Sequence, residues 1–91
     1  MANLKIIAIR DTKNETYGIP FYARTFGGAI RSLHIELEQN PKSPMAQFPE
    51  DYELWSIGTY DEEAGQIGGT NEPKMILKIN EIAIKKDETQ K

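Results

Sequence analysis

Short apolar blocks punctuate this chain, and their periods predict its elements. Residues 4–10, LKIIAIR, are apolar in two phases, with Leu4, Ile6 and Ala8 on one side and Ile7 and Ile9 on the other. An isoleucine-rich run of that length, covered on both sides, predicts a central strand. The polar run DTKNET follows and suits a hairpin loop. YGIPFYAR, residues 17–24, then alternates, placing Ile19, Phe21 and Ala23 on one face and Tyr22 and Arg24 on the other. Pro20 supplies no backbone donor, which favours an edge or an early position in this second strand.

Beyond it the period lengthens. Thr25 is placed as a helix N-cap, and Phe26, Ala29, Ile30, Leu33 and Leu37 fall on one stripe of an amphipathic helix. Gly27 and Gly28 in its first turn leave room for close approach. The helix should end near Gln39 and Asn40, because Pro41 disfavours helical geometry in the residue before it. NPKSPMAQFPED, residues 40–51, reads as an ordered loop that Met45 and Phe48 could pin to the core. YELWSIGTYD, residues 52–61, predicts a strand with Leu54 opposite in phase to Trp55 and Ile57. DEEAG is a reverse turn, with Gly65 at a positive φ. Gln66 and Ile67 begin a return strand that GGTNEP interrupts and KMILKI resumes, Ile82 and Ile84 continuing it more weakly. No internal repeat is visible.

The expected fold is therefore α+β: a small antiparallel sheet of about four strands in ββαββ order, with one helix packed on one face. The opposite face would carry Tyr, Trp or Ile side chains and need its own cover, which suggests a dimer. A chain of 91 residues makes one domain, placed at residues 1–84, with 85–91 as a solvated charged tail. With no cysteine, neither disulfides nor thiolate metal sites are available. The N-terminal run, broken by Lys5 and Arg10, lacks signal-peptide order, and no run of about 18 apolar residues could span a bilayer.

Charge constrains the function. The net charge is −3, whereas a non-specific DNA binder is usually basic. Any nucleic-acid role must rest on a local cluster, and Arg10, Lys13 and Arg24 at the first hairpin, with Arg31 on the helix, are the candidates for holding phosphate. Tyr22, and Trp55 on a two-faced strand, are the aromatics with a plausible route to the surface and to base stacking. Core or dimer contact is their ordinary alternative use. TFGGAIRS fits neither nucleotide-binding glycine pattern. The acids of PEDYE and YDEE lack calcium-loop spacing, so no metal site is assigned. His34 stands beside the apolar stripe with no nucleophile pattern nearby. No catalytic residue and no cofactor is assigned, and an enzyme is not expected.

Two segments carry a resemblance. YGIPFYARTFGGAIRSL, residues 17–33, resembles the YG-x-PF … T-x-G-x-AIRSF block of the small non-structural protein of gokushovirus-type microviruses. FPEDYELWSIGTYDEEAG, residues 48–65, resembles the same family's PEDF-x-L-x-x-LG-x-FD-x-x-TG block, and EPKMILKI fits its last strand. The matching positions are Tyr17, Gly18, Pro20, Phe21, Thr25, Gly27, Ala29, Ile30 and Arg31 in the first block. In the second they are Pro49, Glu50, Asp51, Leu54, Gly58, Asp61 and Gly65. Gly28 departs from the pattern, and the terminal IAIKKDETQK does not align.

The resemblance implies a protein of phages with circular single-stranded DNA, made in the host bacterial cytoplasm. It implies a DNA-binding role in the switch to single-strand synthesis or packaging. It brings no catalytic set. The leading expectation is thus a non-enzymatic oligomer contacting single-stranded DNA through Arg10, Lys13, Tyr22, Arg24, Arg31 and Trp55. The alternative, favoured by the acidic balance, is a protein–protein adaptor for the phage replication initiator, a host factor or the procapsid.

Overall fold

The computed structural model describes residues 3–69 and 72–82. β1 (Asn3–Asp11), β2 (Thr16–Tyr17) and β3 (Phe21–Ala23) precede α1 (Phe26–Gln39) and a short α2 (Pro44–Gln47). A 3-10 turn at Pro49–Asp51 leads into β4 (Tyr52–Asp61), β5 (Gln66–Gly68) and β6 (Lys74–Lys78). All pairings are antiparallel. β2 and β3 both pair with β1, and β5 and β6 both pair with β4, so the six described strands fill four lanes. The expected ββαββ order holds, with the two long strands β1 and β4 side by side at the centre.

One face of the sheet carries α1. Ile7 and Leu54 meet Ala29, Leu33 and Leu37 in a single buried cluster, with Phe21, Phe26 and Ile30 partly buried against it. The helix starts as anticipated: Thr25 Oγ1 accepts a hydrogen bond from the Gly28 amide at 3.0 Å, satisfying one of the first-turn donors. Gly28 thus lies close to its own cap, and Gly27 has open space around it, so neither admits a distant segment.

Four local expectations are corrected. Residues 17–24 are not one strand: Arg10 pairs with Tyr17 but Ile7 with Phe21, so Gly18, Ile19 and Pro20 oppose only Ile9 and Ala8. The extra residue breaks the ladder and leaves Ile19, assigned inward by alternation, 91% exposed. The loop at 40–51 contains a helical turn capped by Ser43, whose hydroxyl accepts from the Ala46 amide at 3.2 Å. Met45 packs on the core as expected and Ala46 beside it, but Phe48 is exposed. Finally, residues 79–82 are helical rather than extended, burying Ile79 and Ile82 in the core. Ile84 and the tail at 85–91 lie outside the described residues.

A structural repeat emerges that the sequence had hidden. Each half runs long strand, Asp, four-residue turn, interrupted return strand, helical residues. Asp11 accepts from the amides of Lys13 and Asn14, and Asp61 accepts from those of Glu63 and Ala64. The turns end at Glu15 (φ 59) and Gly65 (φ 67).

Candidate nucleic-acid interface

Directly paired residues of an antiparallel sheet point to the same face. The face away from α1 can therefore be read row by row. Arg10 is flanked by Tyr17 and Glu53, and Glu53 in turn by Lys78. Ala8 is flanked by Trp55, and Trp55 by Met75. Ile6 lies between Tyr22 and Gly58, and Leu4 is paired with Tyr60, which is paired with Ile67. Successive rows are about 7 Å apart, two residues of strand.

A bulge makes this face possible. Ile6 pairs with Gly58 and Ile7 with Ser56, so Ile57 is an extra residue in β4. Before it, Trp55 faces outward while Leu54 enters the core. After it the phase reverses, so that Gly58 and Tyr60, of Leu54's parity, share the face of Trp55. Strict alternation would have sent Tyr60 to the helix side. The expected opposition of Leu54 and Trp55 holds; that of Leu54 and Tyr60 could not be read from spacing.

The aromatics form two pairs. Tyr17 meets Trp55 edge-to-face at 5.6 Å between centroids, and Tyr22 meets Tyr60 at 5.7 Å. Ile6 and Ala8 beneath them are buried although α1 lies on the other side. Tyr17 and Tyr22 remain 40% and 49% exposed. Arg10 stacks 5.1 Å from the Tyr17 ring, and Trp55 Nε1 donates to Glu53 Oε1 at 2.9 Å. Tyr17, Tyr60 and Lys78 were missed in the sequence. The first sits at a strand end, the second lies past the bulge, and β6 carries its own register shift.

The predicted cations are dispersed. Arg10 lies on the aromatic face and Lys13 in the adjoining turn. Arg24 follows β3 at the far end of the sheet, about 20 Å along the strand direction from Arg10. Its guanidinium there bridges to Glu62, Nη1 to Oε1 at 3.2 Å. Arg31 is exposed on α1, in the other layer. The expected convergence of hairpin and helix cations on one surface does not occur, since the sheet stands between them.

Elsewhere the chemistry is sparse. His34 Nε2 is buried and makes no hydrogen bond among the described residues. Burial, reinforced by the Asp11 and Asp51 carboxylates, raises the Tyr52 hydroxyl above its ordinary pKa. Among the described residues no His, Cys, Asp and Glu gather with metal-binding geometry. No described helix is long and apolar enough to cross a membrane. Residues 4–82 match a family model described as Phage ORF5 protein. No curated protein and no solved structure matches the chain.

Proposed function

The chain belongs to the Phage ORF5 protein family, and from that premise we propose a non-enzymatic phage protein of the gokushovirus type that binds single-stranded DNA. The carrying observation is the sheet face that no described element covers, with Tyr17, Tyr22, Trp55 and Tyr60 upon it. Unpaired bases stack on such rings whatever their identity, each contributing about 1–3 kcal/mol. Arg10 and Lys78 at the rim would hold phosphates. Arg24 is engaged by Glu62, Lys13 is peripheral to this surface, and Arg31 lies on the opposite face, on α1. The role fits a switch toward single-strand synthesis or packaging in the host cytoplasm.

Trp55 is the single tryptophan of the chain, so it reports directly on the face. Adding a single-stranded oligonucleotide at low salt should quench its fluorescence. Tyr22→Ala should weaken binding about 5- to 150-fold, the stacking contribution converted to a ratio. Undetectable binding, or an affinity indifferent to Tyr22→Ala, would refute the proposal.

A second reading has its own support. Ile19 is 91% and Ile67 69% exposed, at opposite edges of the sheet of an acidic protein. Those residues would suit a protein partner such as the replication initiator, a host factor, the procapsid or a second copy of this chain. Association that survives nuclease, and is lost on Ile19→Ser, would favour it.

A further inference from the structure

We propose that Glu53 makes the aromatic face selective for bases carrying an exocyclic amino group, so that cytosine is preferred over thymine. The inference rests on the reading of this face as a single-strand platform. Glu53 precedes Trp55 by two residues in β4, and the two side chains share the outer face. The indole N–H holds Oε1 at 2.9 Å, which fixes the carboxylate at the edge of the ring on which a base would stack. Among the described residues, the second carboxylate oxygen has no hydrogen bond or ion pair. Glu53 itself is partly buried, in register between Arg10 and Lys78. Those two cations offset its charge for an approaching phosphodiester.

At neutral pH a carboxylate only accepts hydrogen bonds. The cytosine 4-amino group donates at the base edge where thymine presents a carbonyl oxygen. A cytosine on Trp55 can therefore satisfy the second oxygen. A thymine in the same pose sets acceptor against acceptor and displaces water from the carboxylate oxygen without replacing its hydrogen bond. Adenine, with its 6-amino group, should side with cytosine.

The test compares unstructured cytosine and thymine oligonucleotides of equal length, at mildly alkaline pH, against the full chain. Binding is read by Trp55 quenching and by anisotropy of a labelled strand. The wild type should bind the cytosine strand about 5- to 20-fold more tightly. Glu53→Gln should abolish the preference or turn it toward thymine, because the indole N–H keeps the amide oxygen and leaves the amide NH2, a donor, facing the base. Lys78→Ala should weaken both strands equally and keep the ratio. Equal wild-type affinities, or a ratio unchanged in Glu53→Gln, overturn the selectivity while leaving the platform standing. Failure of the wild type to bind either strand overturns the platform and the selectivity with it.

Discussion

Gly58 is the residue on which the open face turns. It sits just beyond the extra residue Ile57, where β4 changes phase, and is buried against the neighbouring lane. A Cβ there would lie 2.9 Å from the Gly68 carbonyl oxygen, a backbone atom that cannot swing aside. Gly58→Ala should therefore destabilise the fold by about 1–3 kcal/mol, as overpacking does. Urea unfolding followed by circular dichroism would measure this. A variant as stable as the wild type would mean that β5 is not held against β4 as described. The sequence marked Gly58 only as a shared family position; the reason for it is a contact ten residues away.

The two hairpins show what local chemistry can specify. Each long strand ends in an aspartate that accepts from two turn amides, and each turn closes through a residue with positive φ. In the second turn that residue is glycine, which enters the left-handed region without penalty. In the first it is Glu15, for which the same conformation costs about 1–2 kcal/mol. Gly65→Ala meets open space, so its cost is conformational alone, and the melting temperature should fall. Glu15→Gly should instead leave stability unchanged or raise it by up to about 1 kcal/mol, the relieved strain being partly offset by a more flexible unfolded chain. Thermal unfolding of both variants checks the pair; a loss of stability in Glu15→Gly comparable to that in Gly65→Ala would contradict the shared turn geometry.

As a whole the molecule is a slab, 45 × 28 × 18 Å, whose shortest extent corresponds to a sheet and one layer of helix. That shape separates the charges: Arg10 and Lys78 lie on the aromatic side and Arg31 on the helical side. Few of the described cations can touch one strand of DNA at once. Because each neutralised phosphate on a single strand contributes about −0.7 to the slope of log affinity against log salt, two or three contacts give a slope near −2. Titrations across a salt series should return that shallow value. A slope of about −3.5 or steeper would require cations such as Arg24, Arg31 and Lys13 to join the interface, against their placement here.

The order of elements, the Thr25 cap, the buried stripe of α1 and the Gly65 turn were all readable in the sequence, because each depends on residues within a few positions of one another. Which side chains share a face was not. Three register shifts, at Gly18–Pro20, at Ile57 and near Ile76, reset the alternation that sequence reading relies on. A bulge is defined by the strand opposite, so spacing within one segment cannot reveal it. The charge separation has the same origin. Arg10 and Arg31 are close along the chain, but only the packed sheet, standing between strand and helix, decides that they face opposite ways.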